Sequence, residues 1–459
     1  MNKLKTALAL SLSAVTILAG CGGTSTSSTS ATSDSAAASS SAVENSDNSE
    51  AASASTSAAS GEPTELRVTV QAWMMGKYDF EGAKADFEKN HPGVTVTYNQ
   101  VDNVDVTTSM LEWSQGKTSC DIAIGGDRSQ TVSYAANDYI VEFTDDNFFN
   151  GDFTRDKFYD PFMTCGNIEN HQFMIPLVGE TVGIVVNKNM FKEAGLLDEN
   201  GEIIPAESWE ELYDYASKLT KDGQTGLGID WGSNMMLYTY ETCLQGESGT
   251  LFADDGKTLN FKGDAVEDFM TTWKKLIDDG YTTTDVFADM DANRSQFKSG
   301  QLAMHLAPAS RWIEAAAPDV LGEDAVGLMP VPGTDENGSI VYIHGIVIPK
   351  VSPNIDLAIQ FIKEELLADD FMKDAQNTYG KMSPLKSQNQ DLENPYWPTC
   401  LSFVKNATTS PLYKDMTKLD TYFQTETQSY LTGAEELTDW EDHLTDYIGT
   451  LDLSDGMSN

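Results

Sequence analysis

An α/β chain built on a parallel sheet is what the amino-acid order predicts, and three observations predict it. β-rich runs at 65–73, 94–98 and 120–124 alternate with two segments of helical spacing, which is a βαβαβ opening. A long β-branched run at 175–187 then starts a second series of alternating strands and helices. Residues 64–459 together are long enough for two domains of ordinary size.

The first residues read as targeting and tether. Lys3 and Lys5 precede an apolar run from Ala7 to Leu18, which is too short to span a bilayer as a permanent helix. It ends in Leu18-Ala19-Gly20-Cys21, which resembles the bacterial lipobox, and that resemblance implies cleavage after residue 20 and acylation of Cys21, with palmitate among its chains. Such an anchor holds a protein at a membrane through buried CH₂ groups without crossing it. Residues 22–63 are almost entirely Ser, Ala, Thr and a few acids. They have too little apolar surface to offset chain entropy, so 21–63 is expected to be an acylated Cys and a disordered tether.

Charge and cysteines narrow the function classes. Seventy-one acids against 29 Lys plus Arg give a net charge of −42, and the tether holds only Asp34, Glu44, Asp47, Glu50 and Glu62 of those acids. A body this acidic lacks the basic patch that nucleic acid requires and reads as a solvated surface that resists aggregation. Cys120, Cys165, Cys243 and Cys400 are too far apart to form the close pairs typical of metal sites. They permit three disulfide connectivities or four free thiols, with free thiols favoured and no metal expected.

The elements follow in order. Glu65 to Trp73 alternates as a strand that delivers Trp73, Phe80 to Asn90 is a helix stopped by His91-Pro92-Gly93, and Val94 to Tyr98 is a second strand. A helix closes over Met110 to Gly116. Cys120 to Ile124 is a strand running into Gly125-Gly126-Asp127-Arg128, whose glycines fit neither dinucleotide nor P-loop spacing. A short helix is expected at Tyr134 to Tyr139. The strand 175–187 carries Pro176, which bars a central ladder position, and Glu180, an acid costly to bury without partners. Phe191 to Leu196 is a short helix with a Gly cap, and Ser208 with Glu211 launches a helix to Leu219. Leu227 to Trp231 is a strand, a helix with Met235, Met236 and Tyr238 follows, and Asp254-Asp255-Gly256 is a turn without calcium-loop spacing. Asp264 to Gly280 is a strongly patterned helix. Strands are expected at Leu302 to Leu306, Val326 to Pro330 and Ile340 to Pro349, followed by C-terminal helices.

Several strings, in this order, resemble the extracellular solute-binding proteins of ABC importers, in the large carbohydrate-binding group that includes maltose-binding protein. They are Phe87-Glu88-Lys89-Asn90-His91-Pro92-Gly93-Val94, Asp121-Ile122-Ala123-Ile124, the run from Ile175 to Lys188, Ser208-Trp209-Glu210-Glu211, Phe297 to Met304 and Gly345 to Lys350. The chain departs from the family pattern at Cys120, where Pro is common, and at Val186, where Tyr is common. The resemblance implies a two-lobed, type II periplasmic-binding-protein-like fold, with hinge strands between the lobes and ligand in the cleft. It assigns 64–178 and 333–383 to lobe I, and 179–332 and 384–459 to lobe II.

It also implies site residues. Glu180 falls on the hinge-adjacent acid, Asp127 and Arg128 on the polar loop after the third strand, and Arg311 and Trp312 just past the Ala-Met strand. Trp73 and Trp231 end strands where sugar-stacking platforms occur, with core packing as the alternative for each, and Tyr342 and His344 stand beside Gly345 on a late strand. For Glu180 the alternative is a structural bond at the hinge. The implied function is non-enzymatic and cofactor-free. A lipid-anchored monomer on the extracellular face of a Gram-positive cell membrane would capture a sugar, expected to be an oligosaccharide, and deliver it to permease subunits. A surface-anchored glycoside hydrolase, or a binding protein for another solute or a sensor kinase, is the rival reading.

Overall fold

The computed structural model describes residues 63–102, 106–221, 223–232, 235–311, 316–322, 324–390 and 397–454. Cys21 and Trp312 lie outside the described residues. The strands are β1 (Thr64–Gln71), β2 (Val94–Val101), β3 (Ile122–Gly126), β4 (Asn167–Ile168), β5 (His171–Gln172), β6 (Ile175–Asn187), β7 (Thr225–Ile229), β8 (Leu302–Pro308), β9 (Val326–Met329) and β10 (Val341–Val347). All but the β4–β5 ribbon join one sheet of order β2-β1-β3-β10-β6-β8-β7, with β9 also on β6. The opening is parallel, as its βαβαβ pattern requires: β1 pairs with both β2 and β3.

The β-branched run at 175–187 makes β6 a strand of 13 residues, all of them buried. Its two halves serve different neighbours. Val341 to Ile346 of β10 pair antiparallel with Ile175 to Thr181, and β8 then takes over from Val182 to Val186. β6 is therefore central in the sheet order, yet at Pro176 it has a ladder partner on the β10 side only, at Gly345, so the missing N–H removes no second ladder bond. Gly179 exchanges backbone bonds of 3.0 and 2.9 Å with Met382. A Cβ there would come within 2.4 Å of Ile343 and 2.8 Å of Phe162, and one at Gly183 within 2.9 Å of Phe403. Close packing requires glycine at both places.

Several expectations about element ends change, among them the strand expected to reach Trp231, which stops at Ile229. β1 stops at Gln71, and Trp73 sits on a one-turn helix, Ala72–Met75, instead of a strand end. The helix expected at 134–139 is Arg128–Ala136. Asp127 caps it by accepting from the Gln130 backbone at 3.1 Å, while the Gln130 side chain accepts from the Asp127 N–H at 3.2 Å. This Asp-x-x-Gln capping box starts the helix at Arg128.

Apolar burial is concentrated in separate clusters. One gathers Leu66, Val68, Phe80, Phe87, Ile122 and Ile359 around β1 and β3. Another gathers Trp209, Trp273, Tyr240, Phe269, Phe423 and Trp440 around β7, β8 and the C-terminal helices. A third, with Val185, Leu328, Ile343 and Phe403, lies along β6 and its neighbours. Each such side chain stabilises by about 1.5–3 kcal/mol relative to exposure. At the base of the first cluster Asp121 accepts from Arg67 through its backbone N–H at 2.9 Å and its side chain at 3.0 and 2.9 Å, and from Ser352 at 2.7 Å. Those bonds tie β1, β3 and the segment after β10 together. Cys120, Cys165 and Cys243 are free, buried thiols and Cys400 is buried as well, and burial pushes Cys165 up to about 12.

Candidate functional site

Where β6 passes from β10 to β8, Glu180 is buried and paired in register with Tyr342. Its Oε1 forms an ion pair with Lys381, which follows the glycine cap of the helix Asp369–Tyr379. Its Oε2 accepts from the Ser310 N–H at 3.1 Å, just past β8. Burial opposes its ionisation, but Lys381 and Arg311 outweigh that penalty and hold the carboxyl below the usual range.

Aromatic groups cover this ion pair. The Lys381 ammonium lies 5.3 Å from the Trp73 ring centroid, and the Trp73 indole N–H donates to Gln71 at 2.7 Å. Trp73 and His344 rings are 4.9 Å apart, and Tyr342 meets His344 edge-on at 4.8 Å. The His344 Nδ1 bonds the Gly125 carbonyl at 3.3 Å, so that nitrogen carries the proton. Burial, reinforced by the Lys381 charge, lowers its pKa to about 3, and the ring is neutral at physiological pH.

Tyr342 connects this group to a second one, for its ring meets Tyr238 edge-on at 4.9 Å. Tyr238, Asp127, Arg128, Glu241, Ser410 and Asp420 line a cavity there. Arg128 donates to the Ser410 carbonyl, and the Ser410 hydroxyl donates to Glu241. Burial pushes Glu241 up to about 7 and Asp420 to about 6. Arg311 lines a further cavity with Asp230, Arg294 and His305. Inside it His305 Nε2 lies 3.2 Å from Asp230, whose ionisation burial opposes and His305, Arg311 and Arg294 together restore, so the carboxyl is held below its ordinary range.

The structure thus brings Trp73, Glu180, Tyr342 and His344 together, sets Asp127 and Arg128 beside them through Tyr238, and places Arg311 at an adjoining cavity. Trp231 stands apart, and its expected role as a stacking platform is corrected. It is fully buried, with Trp273 at 5.4 Å and Phe287 at 5.9 Å, so its faces are covered by core aromatics.

The sequence profile of the bacterial extracellular solute-binding proteins matches residues 76–377. This chain belongs to that family. Among relatives, a Brucella abortus binding protein is 23% identical over 312 residues, 65% of this chain and 71% of that one. Solved structures similar in fold include maltose-bound MalE3 of T. maritima (TM-score 0.71, 16% identity, 84% of this chain and 99% of that one). A Thermotoga lettingae ABC transporter solute-binding protein bound with α-D-tagatose gives a TM-score of 0.72 at 17% identity over 84% of this chain and 98% of that one. An ABC substrate-binding protein of Listeria monocytogenes in complex with cycloalternan gives 0.69 at 16% identity over 84% and 100%. This solute-binding protein accordingly has the two-lobed α/β fold of that group.

Functional candidates absent from the sequence reading are Lys381, Tyr238, Glu241, Ser410 and Asp420. Glu241 had a signal: it is an isolated acid in the largely apolar stretch Met235 to Gly246. Lys381 had none, because its partner lies about two hundred positions earlier. Elsewhere, ligand atoms of Glu426, Glu435 and His443 come within 4.8 Å of one another on the C-terminal segment, where His443 already bonds Glu426 at 2.9 Å. Among the described residues, no helix is long and apolar enough to cross a membrane.

Proposed function

We propose that this solute-binding protein is a lipid-anchored receptor that captures a sugar, most plainly an oligosaccharide, on the extracellular face of the cell membrane and hands it to ABC permease subunits. The observation that carries the sugar reading is the aromatic and polar floor at the centre of the sheet. The half-buried Trp73 and Tyr342 lie beside the Glu180–Lys381 pair, which joins apolar ring faces for sugar C–H surfaces to fixed polar groups for hydroxyls. The maltose, tagatose and cycloalternan bound by proteins of the same fold support it. In this reading 64–178 with 333–383 and 179–332 with 384–459 are two lobes, β6 and β10 are hinge strands, and closure on ligand creates the form a permease recognises. Cys21 carries the acyl anchor and 22–63 supplies reach.

The receptor makes and breaks no covalent bond. Glu180, held ionised by Lys381, is unsuited to the general-acid role a glycosidase needs. Isothermal titration against maltose, maltotriose, cycloalternan and tagatose tests the proposal, with the ligand recovered afterwards and checked for cleavage. Binding with intact ligand is expected. Binding of a different solute class alone would refute the sugar assignment, and cleavage products would refute the receptor.

A further inference from the structure

We infer that Arg128 and Glu241 form a subsite for a single hydroxyl group of the ligand, read as donor and acceptor at once, and that Glu241 is a specificity-determining residue of this receptor. The inference rests on the sugar-receptor reading above. Arg128 is 4% exposed and Glu241 is fully buried, and both line a cavity together with Tyr238 and Asp420. Each has one polar atom committed locally: Arg128 donates an η nitrogen to the Ser410 carbonyl, and one Glu241 oxygen accepts from the Ser410 hydroxyl. Each also has one buried atom without a hydrogen-bond partner, Nε of Arg128 and Oε1 of Glu241. Buried polar atoms are normally satisfied, so two complementary ones on residues that line one cavity point to a group that enters it and reaches them.

The chemistry of that group follows from the pair. Arg128 Nε–H can only donate. Glu241 Oε1 accepts when the carboxylate is ionised. A hydroxyl meets both demands, because its lone pair takes the Arg128 proton while its own O–H is donated to Glu241. An ammonium would serve Glu241 and face the Arg128 charge. A carbonyl would serve Arg128 and turn lone pairs toward Glu241. A carboxylate or phosphate would meet Asp127, Glu241 and Asp420 together. The remaining source of the same chemistry is water.

Calorimetry on the full chain decides among these. Of maltose, maltotriose, cycloalternan and tagatose, the tightest-binding sugar is measured again as its set of monodeoxy analogues, against wild type and Glu241→Gln. One hydroxyl position is expected whose removal weakens wild-type binding at least ten-fold. In Glu241→Gln, parent-sugar affinity should fall at least ten-fold and the penalty for that deoxy analogue should shrink to under three-fold. Arg128→Lys keeps the charge, removes the Nε donor, and should erase the same penalty; it serves as the second variant if Glu241→Gln does not fold. A sugar that binds wild type and both variants equally would overturn the subsite and leave water in the cavity, with the receptor reading intact. A wild type that binds none of the sugars would overturn both.

Discussion

The Lys381 ammonium and the Glu180 carboxylate form an ion pair with side chains only 5% and 3% exposed, and it joins the segment after the helix Asp369–Tyr379 to the middle of β6. Breaking one half of such a pair strands a buried charge. Lys381→Met is expected to destabilise the fold by about 3–5 kcal/mol in urea titrations, whereas adding Glu180→Gln should recover much of that loss. A single variant within about 1 kcal/mol of wild type would show that water reaches the pair. Glu180→Gln alone separates two roles: unchanged sugar affinity with lower stability would make Glu180 structural.

His344 gives the fold a dependence on acid. Its folded pKa of about 3 lies below the ordinary histidine value of 6.5, so the stability linked to its neutral ring is fully present above pH 6.5. It is lost as pH falls from 6.5 toward 3. The limiting slope is about 1.4 kcal/mol per pH unit. Urea denaturation at pH 7 and pH 5 should show wild type losing more stability than His344→Gln. Equal losses would mean the ring charges without penalty.

Glu241 acts in the opposite sense. Its folded pKa of about 7 lies above the ordinary value of 4.5, so its contribution is complete below 4.5 and is lost as pH rises through about 7. Arg128 and Ser410 counter part of the burial and Asp420 adds to it. Glu241→Gln is therefore expected to be more stable than wild type at pH 8, by on the order of 2 kcal/mol, and level with it near pH 4.5. A variant less stable at pH 8 would show that the carboxylate is well solvated there.

Local signals explain why much of this architecture is legible in the sequence. β6 is marked by Thr181 to Val186, and the helix Asp264–Asp278 by apolar residues at 3.6 spacing. Trp73 and Trp231 were not separable that way. Each closes a β-rich run two residues past the end of its strand, and their fates diverge only through distant partners: Lys381 and His344 for one, Trp273 and Phe287 for the other. The cavity at Arg128 is illegible for the same reason. Its lining comes from residues 127–129, 237–241, 410 and 416–420, and sequence spacing does not place those segments together.

The two tryptophans provide the sharpest contrast in variants. Trp231 is fully buried among Trp273 and Phe287, so Trp231→Ala opens a cavity and should cost about 3–5 kcal/mol of stability. Trp73 is half-buried on a one-turn helix, over Lys381 and against His344. Trp73→Ala should cost about 1–2 kcal/mol of stability, yet weaken sugar binding at least ten-fold, because a ring face for the sugar is lost. Thermal denaturation with calorimetry on both variants checks the pair. If Trp231→Ala abolished binding at full stability while Trp73→Ala left binding intact, the floor at Glu180 would not be where ligand sits. The expected split puts the ligand against Trp73 and leaves Trp231 to hold the separate core around β7 and β8.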